Sequence, residues 1–106
     1  MDKENKFQEM QILEQNLQNI LLQKQAFQME IIETQSALKE IEKSDDEIFK
    51  IIGQLMIKTE KNKIKLELES KNKLLELRTK NLDKQEEIFA ERLEKIREEV
   101  LSQQEK

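Results

Sequence analysis

Adjacent carboxylates are the raw material of general acid–base chemistry, and this chain places two of them side by side at Asp45 and Asp46. They stand without the partners such chemistry needs. The chain has no His and no Cys, so the commonest general base, the commonest metal ligand and every thiolate nucleophile are missing. No glycine-rich loop is available to cradle a phosphate, because Gly53 is the only glycine. Ser44-Asp45-Asp46 is therefore read as a turn, a place where short polar side chains bond locally to the backbone. The remaining charges of interest are Lys24 and Glu86, which fall in otherwise mainly apolar or neutral stripes. The expectation is a protein that is not an enzyme, with no catalytic residue, no metal site and no cofactor.

The elements that hold these residues follow from two different periods in the sequence. From about residue 3 to residue 43, Met10, Leu13, Leu17, Ile20, Lys24, Phe27, Ile31, Thr34, Leu38 and Ile41 follow one another at alternating steps of three and four. That spacing lies on one stripe of a helix and, sustained over several heptads, specifies a coiled coil. About 40 residues at roughly 1.5 Å each make a helix of about 60 Å. A second helix is expected from about 61 to 104, with Leu68, Leu75, Leu82, Phe89 and Ile96 recurring every seventh residue. Its companion positions hold Asn72, Thr79, Glu86, Leu93 and Val100, polar first and apolar toward the carboxyl terminus. Thr59 and Asn62 are candidate N-caps, and Lys61 and Lys63 oppose the dipole of a helix starting there. Glu67 with Lys71, Glu69 with Lys73, Glu76 with Lys80 and Glu91 with Lys95 are favourable i, i+4 pairs on its surface.

Between the helices, EIFKIIGQLMIKT breaks the helical period at residues 47–59. Ile48–Ile52 and Leu55–Thr59 are short runs of β-branched and bulky apolar residues on either side of Gly53-Gln54, which reads as a hairpin with a type II′ turn. In a two-residue-loop register Ile48, Ile52, Leu55 and Ile57 share one face, and Phe49, Ile51 and Met56 share the other. A two-stranded hairpin with two apolar faces is not stable alone in water, so it is expected to join hairpins of other subunits in a sheet or barrel. The competing reading is a helical hairpin with an apolar bend, since short apolar runs do not separate strand from buried helix by pattern alone.

A central turn folds the helices back on each other, and residues then stand opposite when their numbers add to about 106 or 113. Lys24 and Glu86 nearly meet that condition, so they either pair across the coil or each reach solvent separately. At the end away from the hairpin, Phe7, Met10, Ile12 and Leu13 come together with Leu93, Ile96, Val100 and Leu101, where fraying would expose an apolar patch. Leu21, Leu22, Met29 and Ile32 on the first helix, and Leu74, Leu77 and Ile88 on the second, lie off the seams.

Composition agrees with long paired helices rather than a globular core. Charged residues make up 40% and aromatics 4%, with no Pro, Trp or Tyr. The net charge is −4, and residues 61–106 interleave twelve basic with eleven acidic groups. The concentrated positive face of a nucleic-acid binder is absent. Neither a membrane span nor a signal-peptide apolar region is present, which leads to the expectation of a cytoplasmic protein acting on neither membrane nor nucleic acid.

Helix, central hairpin and helix, together with LLQKQAFQMEIIETQSALKEIEKSDDEIFKIIGQLMIKT from Leu21 to Thr59 and LESKNKLLELRTKNLDKQEE from Leu68 to Glu87, resemble the β-type subunits of prefoldin. This is a jellyfish-shaped holdase chaperone of archaea and eukaryotes, whose α-type subunits carry two hairpins where the β-type carry one. The resemblance covers nearly the whole chain, 1–106, as a single domain. It implies a heterohexamer of two α-type and four β-type subunits whose hairpins form a double β-barrel body bearing six coiled coils. Clients would be held without ATP at the coil tips and passed to a group II chaperonin. Ile48, Phe49, Ile51, Ile52, Gly53, Leu55, Met56 and Ile57 would then be assembly residues. Phe7, Met10, Ile12, Leu13, Leu93, Ile96, Val100 and Leu101 would contact clients. The alternative is a structural or tethering coiled coil, which would have no need of an apolar β element.

Overall fold

No proline interrupts the heptads, and in the chain's computed structural model each heptad run is one unbroken helix. The structure describes the backbone of residues 2–45 and 47–104 and the side chains of 4–45 and 47–103. Asp46, the second of the adjacent carboxylates, lies outside the described residues. Helix α1 spans Asp2–Lys43, strands β1 and β2 span Ile48–Ile52 and Leu55–Thr59, and helix α2 spans Lys61–Gln104. The apolar-bend alternative is thereby set aside. Among the described residues, no helix is long and apolar enough to cross a membrane.

The chain forms two compact units. One joins Met1–Ala26 with Thr79–Lys106, and the other is Phe27–Arg78. In the first, the seams close on a core of Leu13, Leu93, Ile96 and Val100, with Met10, Leu17 and Phe89 packed against it. The helices run antiparallel there, since Lys6 pairs with Glu99 at 3.1 Å while Lys24 pairs with Asp83 at 2.7 Å. Ile20 and Leu82, also seam residues of this unit, are buried.

In the second unit, seam residues Thr34 and Leu75 are buried together with Ile64. Thr34 is tolerated in an apolar stripe because its hydroxyl donates to the Glu30 carbonyl at 2.7 Å, so burial leaves no unmet donor. Helix α1 ends as its sequence foretells. The Ser44 hydroxyl donates to the Ile41 carbonyl at 2.8 Å, and the Ser44 N–H reaches the same oxygen at 3.2 Å. The start of α2 differs from the expectation. Neither Thr59 nor Asn62 is the cap: Thr59 ends β2, and the Glu60 carbonyl accepts the first helical bond from the Ile64 N–H at 3.1 Å. Lys61, unfavourably placed for the dipole of its own helix, donates through Nζ to the carbonyls of Ser44 at 3.1 Å and Glu42 at 3.4 Å. Those are orphan acceptors at the negative end of α1, where a cation is stabilising.

Strands β1 and β2 pair antiparallel from Ile48↔Thr59 to Ile52↔Leu55. Gly53 has φ +59°, and no non-glycine residue has a positive φ among those described. Gln54 therefore has a negative φ, the signature of type II′ rather than I′. An added Cβ at Gly53 would meet nothing within 4 Å. Backbone conformation, and not space, demands glycine at this turn.

Candidate protein-binding surfaces

The register of the hairpin fixes its faces, because directly paired residues of an antiparallel ladder lie on the same side. Ile48, Lys50, Ile52, Leu55, Ile57 and Thr59 share one face; Phe49, Ile51, Met56 and Lys58 share the other. No bulge shifts the pairing, so the faces are those the two-residue turn requires. Phe49, Ile51, Ile52, Leu55, Met56 and Ile57 are all exposed, Ile51 at 70%. Lys50 extends to Glu67 of α2 at 3.2 Å, and Lys58 to Glu47 at 3.7 Å. Glu67 thus serves the hairpin rather than pairing with Lys71 on its own helix. Both lysines are held by carboxylates, and the apolar side chains beside them are left without cover.

The eight residues expected to bind clients divide into two sets. Leu13, Leu93, Ile96 and Val100 are buried, none more than 8% exposed, and form the core of their unit. Phe7, Ile12 and Leu101 are exposed, and Met10 is half-buried against the core. The division follows from angular position on the helix, because buried residues fall on the heptad stripe while Phe7, Ile12 and Leu101 fall beside it. Phe7, Met10, Val100 and Leu101, with Arg97, line an open groove of about 320 Å³. Arg97 also meets Glu14 at 3.3 Å, with both side chains about half exposed.

Lys24 and Glu86 do pair, at 3.1 Å. Sequence reasoning missed Asp83, whose carboxylate is closer to Lys24 at 2.7 Å. Asp83 precedes Glu86 by three residues and so sits one turn away on the same side of α2, which was the available signal. The hydrogen bonds to Asp83 and then to Glu86 raise the pKa of Lys24 above its ordinary 10.5, because both favour the charged ammonium. Burial of Ile64 was missed as well. A strict alternation of steps back from Leu68 lands on Lys65, which instead reaches out to Glu42 at 3.5 Å.

The apolar surfaces of the hairpin and the groove are open to contact with other molecules. Among the described residues no three acidic side chains converge on a position that would hold a metal ion. A second hollow, lined by Lys58, Thr59, Glu60, Lys61 and Asn62, lies at the junction of β2 and α2, and its Lys61 is committed to the end of α1. Two amphipathic helices joined through an uncovered apolar hairpin define a coiled-coil subunit built to bind other proteins.

Comparison with known proteins narrows that class. The prefoldin subunit family matches residues 2–106. Prefoldin subunit beta of Pyrobaculum islandicum is 41% identical over 101 residues, covering 93% of this chain and 78% of that protein. Prefoldin subunit beta of Thermococcus kodakarensis is 37% identical over 91 residues, covering 84% of this chain and 78% of that protein. The crystal structure of the prefoldin beta subunit from Thermococcus strain KS-1 superposes with a TM-score of 0.85 at 33% identity, covering 94% of this chain and 90% of that one. The chain belongs to the prefoldin subunit family, a family of molecular chaperone subunits.

Proposed function

We propose that the chain, 1–106 acting as one prefoldin-like domain, is a β-type subunit of a cytoplasmic, ATP-independent holdase. Two α-type and four β-type subunits join through their hairpins into a barrel body, hold unfolded polypeptides, and pass them to a group II chaperonin. The observation that carries this reading is the hairpin, which exposes Phe49, Ile51, Ile52, Leu55, Met56 and Ile57 on its two faces. Fully burying a Leu-sized side chain is worth about 1.5–3 kcal/mol. Six such residues left in water are a strong drive to assembly, and a pair of unpaired strand edges sets the geometry of a continued sheet. A coiled coil that merely tethers its partners has no use for either feature.

Holding a client needs no nucleotide, since burial of apolar surface supplies the free energy directly. Phe7, Ile12 and Leu101 provide that surface with the coil closed, and Met10 joins them at the edge of the core. Val100 borders the groove of Phe7, Met10 and Leu101, whereas Leu13, Leu93 and Ile96 become available to a client only when the end of the coil opens. The test is mass by light scattering after size exclusion, alone and with an α-type subunit, together with suppression of aggregation of a chemically unfolded protein. A defined hetero-oligomer that keeps the client soluble is expected. A chain that remains small with the α-type subunit, or that leaves aggregation unchanged, would return the tethering reading.

A further inference from the structure

We infer that the groove of Phe7, Met10, Arg97, Val100 and Leu101 reads the charge beside an apolar anchor, taking unfolded segments in which a large apolar side chain neighbours a carboxylate. This deepens the holdase reading and rests on it. A groove of about 320 Å³ lies at the small end of ligand sites, which run from about 300 to 1,000 Å³, so it suits a side chain or two rather than a folded surface. Its apolar lining is graded. Val100 is buried, Met10 is half-buried, and Phe7 and Leu101 are exposed.

Arg97 is the only charged residue of the five, which sets one guanidinium at the edge of the groove in a chain of net charge −4. The neighbouring Lys6 is occupied by Glu99 at 3.1 Å. Arg97 itself engages Glu14 through Nη2 alone, at 3.3 Å and with both side chains about half in solvent. A guanidinium carries five N–H donors in a planar fork suited to carboxylates, so this single contact leaves donors for an incoming acid. A half-exposed ion pair is worth little and exchanges readily. A client carboxylate can therefore replace Glu14 on Arg97 while the adjacent apolar side chain enters the groove, whereas a client lysine gains no such partner and is set beside a like charge.

Three labelled, unstructured peptides test this with the full-length oligomer. Each carries one Phe flanked by Asp, by Ser or by Lys, and affinities are read by fluorescence anisotropy at low and high salt. The Asp peptide should bind about two- to fivefold more tightly than the Ser peptide, and the Lys peptide more weakly by a similar factor, with the spread shrinking in salt. Arg97→Gln should collapse the spread. Glu14→Gln, which frees the guanidinium, should widen it. Both variants delete the same ion pair and keep good helix formers, so loss of local structure would move them in the same direction. Shifts in one direction, a spread that survives Arg97→Gln, or failure of all three peptides to bind would each overturn the inference. Aggregation suppression measured on the same samples separates the two readings, because a holdase without this preference still suppresses aggregation.

Discussion

Seam residues in the unit of Met1–Ala26 and Thr79–Lys106 are buried or half-buried within their own chain, whereas Phe49, Ile51, Ile52, Leu55, Met56 and Ile57 of the hairpin stay exposed. Leu13 and Val100 are each 5% exposed, and Ile51 and Met56 are 70% and 67% exposed. Residue types alone do not account for the contrast, since both regions are built from Leu, Ile, Met and Phe. Period does. Spacing near 3.5 collects apolar side chains on one stripe that a single antiparallel helix covers, while a period of 2 puts them on two faces, and a two-stranded ribbon can cover neither. The first pattern completes itself by folding. The second is left open by the chain's own fold.

The largest way to break this comparison is a charge in the hairpin. Ile51→Asp and Ile57→Asp place a carboxylate on opposite faces, and burying it unpaired at a subunit contact costs several kcal/mol. Loss of assembled mass with helicity retained is expected for each. A difference between the two tells which face is sealed more tightly, and an unchanged oligomer in both sinks the assembly role.

Leu93→Ala acts inside the chain instead and should lower stability by about 2–5 kcal/mol in thermal or denaturant unfolding. Ile51→Ala in the unassembled chain should cost far less, because most of that side chain is already in water. Equal losses would mean that the hairpin is already covered. Phe7→Ser with Leu101→Ser should change stability by no more than about 0.5 kcal/mol per site and yet weaken suppression of client aggregation. Full protection by that variant would move client binding away from the groove.

The smallest effect concerns Lys24. A double-mutant cycle of Lys24→Met with Glu86→Met should return a favourable coupling, and replacing Asp83 with Asn should return one as well. Additive effects in both cycles would mean that the three charges act separately. The folded-state pKa of Lys24 lies above its ordinary 10.5. Its contribution is thus fully present below about pH 10.5, the unfolded value, and is lost as pH rises through the folded value. Melting curves in the alkaline range should show a smaller loss in Lys24→Met than in the parent chain.

Sequence by itself determined the two helices, the turn between them and the heptad seams, because period and a lone glycine act locally. All ten seam residues of α1 are buried or half-buried, and Leu21, Leu22, Met29 and Ile32 beside them are exposed. The hairpin register followed from the same local logic, since a two-residue turn leaves one pairing. Tertiary structure decided what depends on which side chains meet. It brought Asp83 to Lys24, sent Lys61 to the end of α1, and drew Glu67 to Lys50 and away from Lys71. It also divided the tip residues into a closed core and an exposed set around a groove. Long charged side chains reach across several positions at little cost, so linear spacing does not choose among their partners. Burial, in turn, depends on the angle at which each helix faces the other, which only the folded pair defines.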